Sequence, residues 1–220
     1  MHPILGEIAG VTIYSYGVMM ALAVLAGVTV AVWFGRFYSL SAEGLVDAAI
    51  WIVIAAVAGA RALYVLLELD YFAAHPAGIL AIRDGGLSWY GGLGAGLLAS
   101  FFVSRRKGVR WGELLNAFAP SLALGLSIGR IGCLLNGCCY GLPIERLYSG
   151  PAAPELGRPA LHSWLSWTVR SSYLQDVPRH PVQLYSSVLN FLIFLLLWWL
   201  SAKRPHTRQP GRLFLVYLML

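Results

Sequence analysis

Apolar runs separated by short polar stretches set the rhythm of this chain. They lie near residues 14–34, 45–69, 87–103, 114–135 and 182–201. A helix needs about 20 residues to cross a hydrocarbon slab of roughly 30 Å, so each run predicts a membrane crossing. A sixth apolar run opens at "GRLFLVYLML" and holds ten residues. That is about 15 Å of helix at 1.5 Å per residue, too little to span. The predicted fold class is an all-α integral membrane protein: a polytopic helical bundle with five full spans and a truncated sixth, forming one transmembrane domain over residues 1–220. Composition removes the soluble alternative. Hydrophobic residues are 58% of the chain, charged residues 12%, and mean hydropathy is +0.68, so a water-solvated surface cannot be assembled.

The opening "MHPILGEIAGVTIYSYG" places no basic residue before Arg36. It therefore lacks the n-region of a cleavable signal, and the first span is expected to stay. Two dense basic clusters fix an orientation, "SRRKGVR" (Arg105, Arg106, Lys107, Arg110) and "KRPHTRQPGR" (Lys203, Arg204, Arg208, Arg212). Two crossings separate them, so the positive-inside bias places both in the cytoplasm. Counting back puts the amino terminus and the 136–181 segment outside. That segment carries Pro143, Pro151, Pro154, Pro159 and Pro178 and the tryptophans of "HSWLSWTV". It is expected to form a small extracytoplasmic insertion leaning on the interface. No internal repeat or low-complexity tract is visible. The net charge of +6 is accounted for by the cytoplasmic loops, so it does not indicate a nucleic-acid partner.

Two arginines fall inside predicted spans, Arg61 in "AAVAGARALYVLLEL" and Arg130 in "SIGRIGCLLNGCCYGLP". An arginine at such depth costs at least about 2.5 kcal/mol on insertion scales and needs partners. Glu68 lies on the face of Arg61, about two turns on, and offers partial neutralisation. The acid nearest to Arg130 in its own helix, Glu113, is roughly 25 Å back along the axis. Two readings follow. Arg130 bonds helix-end carbonyls or snorkels to the outer interface, or its missing anion is the substrate. A phosphate-bearing lipid headgroup would suit, because the guanidinium stays charged and can hold two oxygens at once. Gly92/Gly96 and Gly125/Gly129 have the small-xxx-small spacing that lets helices approach closely. Helix packing alone explains each pair, but not the accompanying Tyr90 and Arg130. Cys133, Cys138 and Cys139, spaced C-x4-C-C, make no recognisable zinc or disulfide framework. Packing near the mouth of a cleft and a membrane thiol or metal site both stay open for them.

"GRIGCLLNGCCYG" resembles the signature of the prolipoprotein diacylglyceryl transferases. "YSYGVMMAL" is similar to that family's first-helix motif, "GARALYVL" to its second-helix segment, "DGGLSWYGGLGAG" to its glycine-rich third-helix motif, and "RHPVQLY" to the motif entering the next helix. The five follow the family's order across about residues 12 to 200. The resemblance implies transfer of the diacylglyceryl group of phosphatidylglycerol to the lipobox cysteine thiol of a preprolipoprotein, with release of glycerol phosphate, at the outer surface of the bacterial inner membrane. The partners implied are phosphatidylglycerol, preprolipoprotein signal peptides and membrane lipids, with no cofactor and no metal. The nucleophile then belongs to the second substrate, and no Ser-His-Asp constellation is needed.

Carried over residue by residue, the resemblance makes Arg130 the group that binds the phosphate and stabilises the leaving charge. Asn136 becomes a hydrogen-bonding partner of the headgroup, and Tyr16 and Arg61 further substrate contacts. Tyr90 stands where many members carry an essential histidine. A phenol titrates near pH 10 and an imidazole near 6.5, so Tyr90 is expected to donate a hydrogen bond or orient the substrate rather than act as a base. Packing against the glycines is its other reading. Cys133 and Cys138 stand where other members have asparagine and glutamate. The family pattern continues with a tyrosine, an arginine four residues later, a glutamate and another span. These have no counterpart up to Leu220, so the chain is expected to lack the family's C-terminal part, and residues 1–220 alone to give little or no transfer. The alternatives to a transferase are a non-catalytic phospholipid-binding relative and a thiol-dependent redox or metal protein.

Overall fold

The structure is a computed structural model, and it describes residues 4–8, 11–82, 85–141, 180–203 and 209–220. Long helices dominate: α1 (Ser15–Gly35), α2 (Ala42–Leu67), α4 (Trp89–Arg106), α5 (Trp111–Asn136) and α6 (Val182–Lys203), with the shorter α3 (Leu69–Ala74) and α7 (Arg212–Met219). Single 3-10 turns stand at Arg36–Tyr38 and Pro76–Leu80. Among the described residues, four stretches are long and apolar enough to cross a membrane: Ser15–Tyr38, Ala42–Leu67, Trp111–Asn136 and Val182–Lys203. The third expected crossing is helical, as α4, but is not one of these four. Its glycines and the terminal Arg105 and Arg106 lower its mean hydropathy. The 136–181 insertion falls almost wholly outside the described residues.

A departure from an all-helical chain precedes α1. Strands β1 (Ile4–Ile8) and β2 (Val11–Tyr14) pair antiparallel, with Glu7 opposite Thr12 and an irregularity between Ile4 and Gly6. The reason is local composition, since Val11, Thr12, Ile13 and Tyr14 are β-branched or aromatic and fit a pleated strand better than a helix start.

The chain divides into two compact units, residues 1–27 with 120–199, and residues 28–119 with 200–220. The boundaries fall inside α1, α5 and α6, and in α5 the boundary is at Pro120, a helix-interior residue with no N–H to donate.

In the first unit, α5 packs on α1 through glycines. A Cβ on Gly125 would meet the Ala23 carbonyl at 3.7 Å, one on Gly129 the Met20 sulfur at 3.8 Å, and one on Gly132 the Met19 Cβ at 3.0 Å. α5 and α6 are joined by a reciprocal serine pair. Ser127 Oγ donates to the Ser187 carbonyl at 2.9 Å, and Ser187 Oγ donates to the Ser127 carbonyl at 2.9 Å. Serine pairs of this kind satisfy hydroxyls where hydrocarbon cannot.

In the second unit, α2 and α4 pack through small residues. A Cβ on Gly59 would run into Ala95 Cβ and lie 2.7 Å from the Gly91 carbonyl, while one on Gly91 would strike the Gly59 carbonyl. Gly92 and Gly96 sit against Ala56 and Ala60, so this pair serves close helix approach. Gly59→Val is expected to cost about 1–3 kcal/mol by forcing the helices apart, read as a lower midpoint of thermal unfolding in detergent. Gly94, with nothing within 4 Å of its would-be Cβ, is the control: Gly94→Ala should leave the midpoint unchanged. At the other end of this unit Asn116, wholly buried, donates to the Gln209 carbonyl at 2.7 Å and accepts from the Phe214 N–H at 3.2 Å, tying the start of α7 to α5.

Candidate active site

Tyr16, Arg130 and Asn136 belong to the first unit, and Arg61 and Tyr90 to the second. Arg130 and Asn136 share α5, six residues or about 9 Å apart along the axis. Tyr16 meets the same helix where Gly132 leaves room, its ring 3.4 Å from the position a Cβ would take. The tighter neighbour of that position is Met19 Cβ at 3.0 Å, so the glycine lets α1 approach α5 closely, two residues from Arg130.

Arg130 is half-buried. Among the described residues no hydrogen bond or ion pair reaches its guanidinium. The ion pairs there are Lys107–Asp47 at 2.7 Å and Arg110–Glu113. A delocalised cation on a membrane helix is costly without a partner, and among the described residues Arg130 has no acceptor.

Arg61 contrasts with it. Its side chain is buried, and its donors end on four backbone carbonyls. Nε reaches Ile79 O at 2.9 Å, Nη1 reaches Gly85 O at 2.6 Å and Gly86 O at 2.9 Å, and Nη2 reaches Gly78 O at 2.6 Å. The rings of Phe72 and Tyr64 lie 5.3 and 5.7 Å from its Cζ, adding cation–π attraction. Neither of the ion pairs above involves Glu68, the neutralising partner expected from spacing; carbonyls do that work. Gly85 and Gly86 adopt φ +89° and +74°, a conformation only glycine takes without strain, and a Cβ on Gly86 would lie 2.8 Å from Arg61 Nη1. Two segments that read as separate motifs in the sequence are therefore one structure, with the glycines of "DGGLSWYGG" supplying the carbonyls for the arginine of "GARALYVL". Ser88 N–H adds a bond to Ala60 O at 2.9 Å. Tyr90, in the first turn of α4 directly after this turn, is largely exposed at 78%.

The end of α5 carries the cysteines. Gly137 closes the helix with φ +78°, and the Cys138 N–H returns to the Cys133 carbonyl at 3.0 Å, the long bond of a Schellman-type cap. Cys139 follows at φ +61°. The buried Gln183 of α6 holds the turn by donating to the Cys138 carbonyl at 2.7 Å, and the Tyr140 hydroxyl donates to the Gly137 carbonyl. The result brings the three thiol sulfurs within 4.8 Å of one another. Burial raises the Cys139 thiol above its ordinary range, Cys138 adds to the shift, and the Arg130 cation acts against it.

A cleft of about 280 Å³, lined by Ser41, Glu43, Lys107 and Leu114 among others, contains none of the five expected site residues. Its lining is the basic-loop end of the second unit.

Residues 3–220 match the family model described as prolipoprotein diacylglyceryl transferase. The chain belongs to this family. It is similar to phosphatidylglycerol–prolipoprotein diacylglyceryl transferases of Finegoldia magna (32% identical over 97% of this chain and 77% of that one), Synechococcus elongatus (34%, 99% and 72%) and Clostridium tetani (30%, 100% and 81%). The relatives' names specify phosphatidylglycerol as one of their substrates and say nothing of a cluster of thiols.

Proposed function

We propose that the protein transfers the diacylglyceryl group of phosphatidylglycerol to the thiol of a lipobox cysteine, forming a thioether and releasing glycerol phosphate. The observation that carries this reading is Arg130, a membrane-helix cation with no acceptor among the described residues, in a chain of this family. The substrate thiol gives up its proton to solvent and its sulfur attacks the glycerol carbon that bears the phosphate; the C–S bond forms as the C–O bond breaks, and the departing glycerol phosphate carries the electron pair. Arg130 holds that phosphate and stabilises its growing charge. Asn136 hydrogen-bonds the headgroup, Tyr16 lines the lipid beside α5, and the exposed Tyr90 hydroxyl orients the reacting groups. Arg61 was expected among the substrate contacts. With its donors on carbonyls, its proposed part is to hold the turn that presents Tyr90.

The topology proposed is five full spans, α4 counting as the third, with α7 opening a sixth. Both basic clusters face the cytoplasm, and the amino terminus and the 136–181 subdomain lie outside the bacterial inner membrane. In a cysteine-free background, single cysteines at Glu7 and Pro154 should react with an impermeant maleimide from outside, and those at Lys107 and Arg204 should not. The opposite pattern would invert the topology.

The activity is tested by expressing the gene in a bacterium depleted of its own transferase. A lipobox-bearing reporter should gain a diacylglyceryl thioether when phosphatidylglycerol is present, its Cys→Ser form should not, and residues 1–220 expressed alone should give little or no product. A reporter left unmodified, with the protein inserted and phosphatidylglycerol bound, would leave the non-catalytic lipid-binding reading standing instead.

A further inference from the structure

The geometry points to a binding site for a thiophilic divalent cation of the zinc class, formed by Cys133, Cys138 and Cys139 at the outer end of α5. The three sulfurs already lie within 4.8 Å of one another. A tetrahedral zinc with Zn–S bonds of about 2.3 Å needs S···S separations of about 3.8 Å, so side-chain torsions alone can close the set. The backbone that assembles it is held from several sides. Gly137 at φ +78° and Cys139 at φ +61° reverse the chain over the last turn of the helix. The Cys138 N–H bonds the Cys133 carbonyl, Gln183 bonds the Cys138 carbonyl, and Gly141 N–H bonds the His180 carbonyl at 3.2 Å. A non-glycine residue in the left-handed region costs about 1–2 kcal/mol, and such conformations persist where the surroundings over-determine them. Cys139 is exposed while Cys133 and Cys138 are half-buried, which gives an ion a path from solvent to a partly enclosed sulfur set.

Charge selects among thiophilic ions. Binding replaces the three S–H bonds by metal–sulfur bonds and sends three protons to solvent. With a divalent ion the tris-thiolate unit carries one negative charge, and Arg130, three residues ahead of Cys133 on the same helix, supplies one positive charge. A cuprous ion would leave the same group one charge more negative, which is costly next to hydrocarbon. Three protein ligands also leave a zinc-class ion a fourth position for water. None of the three ligands has a part in the proposed transfer, although Arg130 faces both, and the test does not read activity.

The protein, purified in detergent under reducing conditions and treated with a chelator, should bind a single equivalent of cobalt(II), the optical probe for zinc-class sites. An intense near-ultraviolet sulfur-to-cobalt band should appear, and zinc should displace it. Loss of an outer-shell partner costs metal sites about 10–100-fold in affinity, so loss of a ligand in Cys139→Ser should weaken cobalt binding by at least about 10-fold. The triple Cys→Ser protein should show no band. Cys139 is exposed, so its single variant remains informative if the triple variant fails to fold, which circular dichroism would reveal. Absence of the band in the unsubstituted protein, unchanged cobalt affinity in Cys139→Ser, or fewer than three titratable thiols in protein isolated without reductant and then denatured with a chelator would overturn the site, the last by showing a disulfide in its place.

Discussion

Arg130→Ala should lower thioether formation by about 10²–10³-fold, the loss typical when a donor to a developing oxyanion is removed. Arg130→Lys should fall between the two. It keeps the charge but replaces a planar fork able to grip two phosphate oxygens by a single ammonium. Both proteins should insert and fold, because no hydrogen bond or ion pair among the described residues depends on this guanidinium. The decisive measurement is initial rate against phosphatidylglycerol concentration, alongside the amount of protein in the membrane. A transition-state role lowers kcat and kcat/KM together, whereas a purely binding role raises KM alone. Near-normal transfer by Arg130→Ala would remove the substrate anion from this site.

Arg61→Met should do the opposite, damaging the fold first. It keeps much of the apolar stem and strips the donors from four carbonyls, those of Gly78, Ile79, Gly85 and Gly86. The four acceptors sit on half-buried and exposed residues that water can reach once the arginine is gone. Only part of the about 1–3 kcal/mol that each fully buried unpaired acceptor would cost is therefore lost, and a net loss of about 3 kcal/mol is expected. In a chain of this size that lowers the unfolding midpoint by roughly 6–12 °C. Arg61→Lys, able to satisfy fewer of the carbonyls, should lie between. A midpoint unchanged in Arg61→Met, with transfer abolished, would return Arg61 to the substrate contacts.

The contrast between these arginines shows where sequence reading reaches its limit. The membrane helices were legible because span length and apolarity are properties of contiguous residues. Arg61 and Arg130 looked alike, each a cation in an apolar run. They differ because two left-handed glycines, 24 and 25 residues beyond Arg61, turn their carbonyls back onto it. No periodicity encodes that meeting. The cysteines were illegible for the same reason: C-x4-C-C has no metal-site spacing until Gly137 and Cys139 reverse the chain. The hairpin ahead of α1 was missed because its strand residues are as apolar as the helix they precede. Tyr16 and Gly132 came closest to being readable, a tyrosine and a glycine each in a motif of the right family, but their mutual contact appears only in the packing of α1 on α5.

Asn116 sets an order of assembly. Its two bonds go to residues 93 and 98 positions later in the chain. At about 5–20 residues per second, a ribosome takes on the order of 5–20 s to supply them. Throughout that interval α5 has been made and its amide has no Gln209 or Phe214 to meet. A bare amide in hydrocarbon is costly, so the first turns of α5 must stay at the hydrated face of the membrane, or on the insertion machinery, until α6 has crossed and the chain has come back. The clasp between α5 and α7 then closes only after α6 has been made, and the nascent protein carries its own signal of incompleteness in one waiting asparagine.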